Sequence, residues 1–123
     1  MAWELNTDRP VYTQILEIIQ MRIVSGMYAP GSRLPSVREL AAEASVNPNT
    51  MQRAFMELEK SGLITTQRGS GRTVTENTAM IEQVQKQLAL LQIRGFFEKM
   101  NELGYDNVHI LKLIAETIEG GIQ

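Results

Sequence analysis

Apolar residues recur three and four positions apart in two short neighbouring segments of the chain. The first segment carries Val37, Leu40, Ala41 and Ala44, and the second carries Met51, Ala54, Phe55 and Leu58. Such spacing gathers the apolar side chains on one side of an α-helix. The pattern therefore predicts two amphipathic helices separated by a turn at residues 44–46.

Capping residues mark the ends of both helices. Ser36, three residues before Glu39, has the sequence pattern of a capping box, in which each side chain binds a backbone N–H at the helix start. Asn47 is a favoured N-cap for the second helix, and Pro48 suits its first position, where a missing N–H costs nothing. With Gly62 ending the second helix, this is the pattern of a helix-turn-helix, whose second helix enters the DNA major groove.

The first turns of the second helix carry polar residues outside its apolar side, namely Asn47, Asn49, Thr50, Gln52 and Arg53. Short polar side chains donate to and accept from base edges, and a helix N-terminus attracts phosphate. On an isolated helix these residues would more simply form a solvated face, and Arg53 has an alternative partner in Glu57, one turn along. The helix-turn-helix context favours contact with DNA.

Two runs rich in β-branched residues follow Gly62, at residues 63–67 and 72–75. They predict a two-stranded β-ribbon whose tip is formed by residues 68–71. Glycine in this tip lets the backbone approach a sugar-phosphate surface closely. Arg68 and Arg72 supply positive charge for phosphate or for a narrow minor groove, so the ribbon is a candidate DNA-binding wing.

Two further arginines lie near the start of the first of these helices. Arg38 occupies its second position, where the positive end of the helix dipole disfavours a cation, so an external phosphate is the expected partner. Arg33, just before the helix, has two alternatives, which are a DNA phosphate or an ion pair with Glu39 or Glu43.

The segments that flank this region predict further helices and an N-terminal arm. Helical spacing of apolar residues predicts a core helix from Pro10 to Gly26, and Trp3 is expected to pack on the domain core rather than stack on a ligand. Beyond Thr75, one helix, kinked near Gly95, is expected over most of residues 78–103, followed by a last amphipathic helix ending at residues 120–121. Two helices cannot bury such long apolar stripes alone, so the same tail of a second copy is the expected partner.

The formal net charge of the 123-residue chain is −2, which by itself argues against a nucleic-acid partner. The charge is uneven, however, because residues 33–75 hold six Arg or Lys against four Asp or Glu, whereas residues 76–123 hold four against seven. A mildly basic region beside an acidic tail implies binding that depends on dimerisation and specific contacts more than on bulk attraction.

Other chemistries find little support in the sequence. The absence of cysteine excludes disulfide and thiol chemistry and fits a reducing cytoplasm, and neither a secretion signal nor an apolar run of membrane-spanning length is found. His109, the single histidine, is more simply a solvated side chain than a metal ligand. Phe96, Phe97 and Met100 could line a small-molecule pocket, but hydrophobic packing is the simpler interpretation. No nucleophile–base motif or phosphate-binding loop is present, so we do not expect an enzyme.

Over residues 10–75, the ordered motifs PVYTQI, RLPSVRELA, VNPNT, RAFMELEKSGLI and RGSGRTV resemble the winged helix-turn-helix of the GntR family of bacterial transcription regulators. This resemblance implies that Arg38 and residues 47–52 contact DNA, and that Arg68 and Gly69 reach the minor groove. The wing departs from the common family pattern at Arg72 and Thr73, where a threonine followed by an aromatic residue is usual. The short tail resembles that of the YtrA-like branch of the family, which uses two helices for dimerisation.

These observations predict a mainly α fold (α+β), with an N-terminal winged helix-turn-helix at residues 1–75 and a two-helix dimerisation tail at residues 76–123. The predicted function is that of a cytoplasmic, homodimeric transcription regulator, more specifically a repressor, which binds a palindromic DNA operator. The alternative is a winged-helix adaptor that binds another protein and no DNA. No cofactor, metal or membrane partner is expected, and the sequence does not identify an effector.

The predicted contacts fall into two sets. The predicted DNA contacts are Arg33, Ser36, Arg38, Asn47, Pro48, Asn49, Thr50, Gln52, Arg53, Arg68, Gly69 and Arg72. The predicted dimer contacts are Ile81, Val84, Leu88, Leu91, Phe96, Phe97, Met100, Leu111, Ile114 and Ile118.

Overall fold

The computed structural model describes residues 3–69 and 71–121, and this part of the chain forms five α-helices and one two-stranded sheet. The elements are α1 (Val11–Val24), α2 (Val37–Ala44), α3 (Pro48–Ser61), β1 (Ile64–Gln67), β2 (Gly71–Val74), α4 (Thr78–Glu102) and α5 (Asn107–Glu119). The predicted fold class, mainly helical with a small wing, is confirmed.

The ends of α2 and α3 are capped as the sequence predicted. The Ser36 hydroxyl accepts a hydrogen bond from the Glu39 N–H, and the Glu39 carboxylate accepts one from the Ser36 N–H, each at 3.1 Å. The Asn47 side chain accepts from the Asn49 N–H at 2.8 Å. Gly62 ends α3 in the left-handed conformation (φ 88°), which costs glycine little.

Strands β1 and β2 pair antiparallel and form the wing, with Ile64 opposite Val74 and Gln67 opposite Gly71. The residues before α2 add a short third edge that the sequence pattern did not predict. The N–H of Leu34 donates to the Arg72 carbonyl, the N–H of Val74 donates to the Ser32 carbonyl, and Arg33 lies opposite Thr73. The wing is therefore attached to the start of α2 as well as to the end of α3.

The hydrophobic core is formed by α1, α2, α3 and the base of the wing. Its fully buried side chains are Ile15, Ile19, Ile23, Leu40, Met51, Phe55, Leu58, Leu63, Ile64 and Val74. The first turns of α4 complete this core, because Ile81 is only 8% exposed and Met80 and Val84 pack against the same cluster.

The N-terminal arm packs on the core through Trp3, as predicted. The Trp3 indole N–H donates to the carboxylate of Glu43 on α2, and the guanidinium of Arg22 lies 4.6 Å from the centre of the Trp3 ring. Further along the arm, the buried amide of Gln14 donates to the carbonyls of Asn6 and Arg9. Aromatic packing and paired buried polar groups together hold the arm against α1 and α2.

The chain divides into two compact units, one ending at Gln85 and the other beginning at Lys86. This boundary lies ten residues beyond the one expected from sequence, because the first turns of α4 pack with the preceding core. Helix α4 continues without interruption through Gly95. It ends at Glu102, and Gly104 (φ 101°) follows in the left-handed conformation. Asp106 then caps α5, because its carboxylate accepts a hydrogen bond from the His109 N–H at 2.9 Å.

No helix within residues 3–69 and 71–121 has both the length and the apolar character required to cross a membrane.

Candidate nucleic-acid interface

The start of α3 presents a polar edge to solvent. Met51, Ala54, Phe55 and Leu58 are buried in the core, which leaves the other side of the helix outside it. On that side Asn47, Pro48, Asn49 and Arg53 are exposed, and Thr50 and Gln52 are half-buried. Because the apolar face of α3 is fixed by the core, this polar edge cannot rotate inward without exposing four buried side chains.

Arg53 is held by an aromatic ring of α1. Its guanidinium carbon lies 3.8 Å from the centre of the Tyr12 ring, a distance typical of a cation–π contact. The alternative ion pair with Glu57 is not formed, since Glu57 pairs instead with Lys60 at 3.3 Å. Arg53 is thus stacked but remains exposed at the edge of α3.

A concave surface brings together five of the predicted DNA contacts, namely Arg33, Ser36, Arg38, Gln52 and Arg72. These residues come from the start of α2, from α3 and from the wing, and they line a cavity of about 600 Å³. Within the described residues, neither Arg33 nor Arg38 forms an ion pair with a carboxylate. The two carboxylates that could have formed an ion pair with Arg33 have other partners, because Glu39 caps α2 and Glu43 pairs with Arg22 at 2.8 Å.

Glu39 also lines this surface, but its carboxylate accepts the capping-box hydrogen bond from the Ser36 N–H. The pKa of Glu39 is lowered chiefly by the hydrogen bond from the Ser36 backbone N–H, and also by the bond to the Ser36 hydroxyl. The acidic residue is therefore a fixed structural part of the turn that presents Arg38.

The two wing arginines lie in different environments. Arg68 and Gly69 are exposed at the tip, whereas the guanidinium of Arg72 donates to the carboxylate of Glu59 on α3. Arg72 also lies 5.2 Å from the centre of the Phe55 ring. Residue 70, the serine of the predicted tip, lies outside the described residues.

Glu59 and Tyr12 are two site residues that sequence reasoning did not identify. The Glu59 carboxylate binds both Arg72 and the hydroxyl of Thr66, and the hydrogen bond from Arg72 is the main cause of its lowered pKa. Partners this far apart in sequence meet only through the packing of α1 on α3 and the register of the wing. Charge complementarity between Glu59 and Arg72 was the only available signal, and it does not select one glutamate among several.

A second candidate surface is formed by exposed and half-buried apolar side chains of the unit that begins at Lys86. Leu91, Leu111 and Ile118 are 58–62% exposed, Phe96 is also exposed, and Leu88, Phe97, Met100 and Ile114 are half-buried. Phe96 and Phe97 make an edge-to-face contact and line, with Leu111 and Ile114, an apolar cavity of about 660 Å³. Ile81 and Val84, grouped with this set in the sequence, lie instead on the core of the first unit, because the first turns of α4 cover that core.

Among the described residues, no group of three or more His, Asp or Glu side chains is arranged to hold a metal ion. His109 is exposed, and its ring nitrogen lies 2.6 Å from the carboxylate of Asp106, the residue that caps α5.

Comparison with known proteins supports the interpretation of the fold. Residues 11–74 match the sequence profile of the family described as bacterial regulatory proteins, gntR family. The HTH-type transcriptional repressor YtrA of Bacillus subtilis is 36% identical, and the match covers 94% of this chain and 92% of that protein.

Two solved structures have a similar fold over the parts of the chain that they cover. A GntR family transcriptional regulator from Listeria monocytogenes is 38% identical over 91% of this chain and 98% of its own, with a TM-score of 0.83. The DNA-binding domain of AraR, solved in complex with the operator ORX1, covers 61% of this chain and 95% of its own, with 25% identity and a TM-score of 0.56. The chain therefore belongs to the GntR family of bacterial regulatory proteins and is a YtrA-like, DNA-binding transcription regulator rather than an enzyme.

Proposed function

We propose that this regulator is a cytoplasmic repressor that binds a two-fold symmetric operator as a homodimer. The observation that carries the proposal is the exposed polar edge of α3, which lies beside the concave surface lined by Arg33, Arg38 and Gln52. In a helix-turn-helix, the start of the second helix contacts base edges while neighbouring cations bind phosphate. The relatives support this assignment, since YtrA is described as a repressor and the AraR domain binds an operator.

The exposed apolar side chains of the second unit support the proposal of a dimer. Leu91, Leu111 and Ile118 are each more than half exposed, and packing against a second copy of this unit would cover them. Two copies would place two α3 helices about one turn of DNA apart, roughly 34 Å, on a palindromic site. Because the net charge of the chain is −2, affinity would depend on these paired, specific contacts more than on bulk attraction.

Binding to the protein's own promoter region tests the function directly. At ~150 mM salt, wild-type protein should bind this DNA at least about a thousandfold more tightly than random duplex. Asn49→Ala should weaken specific binding about tenfold and leave non-specific binding unchanged, because a base contact carries sequence information. Gln87→Ala is the matched control, because it also removes an exposed neutral amide side chain from a helix, at a position outside the predicted DNA contacts.

Equal affinity of the wild-type protein for promoter and random duplex would contradict the proposal. If Asn49→Ala no longer bound a protein partner while its DNA binding was unchanged, the adaptor function would be favoured instead. The repressor role has its own test, which is a promoter–reporter fusion whose expression should rise in a strain that lacks the gene. A fall in that expression would indicate an activator.

A further inference from the structure

One carboxylate connects both strands of the wing to α3. Glu59, in the last turns of α3, accepts a hydrogen bond from the Thr66 hydroxyl at 2.9 Å on one oxygen and from the Arg72 guanidinium on the other. Thr66 and Arg72 are opposite each other in the wing, on β1 and β2. We define these three residues, with the Phe55 ring beneath Arg72, as the wing clasp.

The wing clasp is partly shielded from water. The side chains of Arg72 and Glu59 are only 23% and 32% exposed, and the Phe55 ring is buried in the core. A charge-assisted hydrogen bond with reduced solvent access is stronger than an exposed surface ion pair. Stacking on a fixed aromatic ring further restricts the guanidinium. The contacts therefore limit how far the wing can move relative to α3.

We propose that Glu59 is a positioning residue for DNA binding, which acts through Arg72 to hold the wing in the orientation that presents Arg68 to DNA. This inference rests on the proposed function, because it assigns a role within operator binding. Arg72 then stabilises the wing instead of binding phosphate, and Arg68 is the wing cation available to DNA. A wing held in place before binding loses less conformational entropy when it meets the minor groove.

The direction in which one substitution changes operator affinity separates this positioning role from a simple charge effect. Glu59→Gln preserves shape and removes a negative charge near the DNA-binding surface, so charge alone would tighten binding, and a released Arg72 would tighten it further. Loss of the wing clasp predicts the opposite, with operator affinity about three- to tenfold weaker. Glu57→Gln, which removes the same charge from the same helix outside the clasp, is the matched control and should not weaken binding.

A double-mutant cycle shows whether the effect passes through the wing tip. In an Arg68→Ala background, where the tip has lost its cation, Glu59→Gln should weaken binding much less than it does in the wild-type protein. Thermal melting checks that each variant is folded. Hydrogen exchange of the wing amides, measured without DNA, should be faster in Glu59→Gln than in Glu57→Gln.

Each measurement has an outcome that overturns the wing clasp. The first is operator binding by Glu59→Gln that is as tight as operator binding by Glu57→Gln. The second is a loss of affinity in Glu59→Gln that simply adds to the loss in Arg68→Ala. The third is exchange of the wing amides in Glu59→Gln at the wild-type rate. Failure of the wild-type protein to prefer its operator would contradict the proposed function instead. The exchange measurement on free protein would still test the clasp in that case.

Discussion

Arg53 and Tyr12 show how a residue outside α3 can restrict a side chain on the polar edge of that helix. A guanidinium that stacks on an aromatic ring keeps its in-plane N–H groups available as donors, while the ring limits its side-chain rotation. Arg53 is exposed in this position, 3.8 Å from the ring centre of Tyr12. Tyr12 therefore supports one residue of the proposed DNA-binding surface, although it lies on α1.

Replacement of Tyr12 by leucine should weaken operator binding about two- to fivefold, because an exposed cation–π contact contributes about 0.5–1 kcal/mol of preorganisation. Tyr12→Phe retains the ring and should bind like the wild-type protein, which makes it the matched control. Operator titrations of both variants, with thermal melts to confirm folding, provide the measurement. Equal losses in the two variants would show that the hydroxyl, and not the ring, matters.

At the scale of elements, the capping box explains why α2 forms despite its length of eight residues. So short a helix gains little from propagation, and its stability depends on caps and on the burial of Leu40, Ala41 and Ala44. The left-handed Ser45 (φ 57°) then turns the chain toward α3. Ser36 and Glu39 thus stabilise the start of α2, the helix that leads into this turn.

The lowered pKa of Glu39 gives this cap a pH dependence. The carboxylate is stabilised in the folded state, so its contribution is complete above the ordinary pKa of 4.5 and is lost as the pH falls through the lowered folded-state value. Between about pH 5 and pH 3, the melting temperature of Glu39→Gln should therefore fall less than that of the wild-type protein. Glu82→Gln, which changes an exposed glutamate of α4, is the control and should behave like the wild-type protein.

If acid lowered the melting temperatures of the wild-type protein and Glu39→Gln equally, protonation of Glu39 would not contribute to the loss of stability.

Most elements of this chain could be predicted from sequence because their signals are local. Caps at Ser36, Asn47 and Asp106 act within four residues, and the apolar spacing of α3 identifies its buried face. The added wing edge at residues 31–34 has no such signal, since it depends on pairing with β2 about forty residues later. The Glu59–Arg72 contact depends on the same register, so it too required the structure.

At the scale of the whole molecule, the start of α4 belongs to the DNA-binding unit while its later turns belong to the second unit. Sequence periodicity runs through the helix and cannot show which turns pack on which core. Burial shows the change, because Ile81 is 8% exposed whereas Leu91 is 58% exposed. We therefore expect a stable DNA-binding fragment to include the first turns of α4.

Two truncations test this division. A fragment of residues 1–85 should fold as a monomer, whereas a fragment of residues 1–75 should lose at least about 2 kcal/mol of stability, because the core loses Ile81 and the packing of Met80 and Val84. Denaturant unfolding measures the stability of each fragment, and sedimentation measures its oligomeric state. Equal stability of the two fragments would show that α4 adds nothing to the core.

The longer fragment should also bind the operator far more weakly than the full chain, because two linked half-site contacts become one. In the full chain, Leu91→Lys combined with Leu111→Lys should give the same monomer and the same loss, since both residues are largely exposed and neither belongs to the N-terminal core. Lys112→Gln, a change on the same helix as Leu111, is the control and should stay dimeric. A dimer formed by residues 1–85 alone would place the subunit interface in the DNA-binding unit, and the exposed apolar side chains of the second unit would then need another partner.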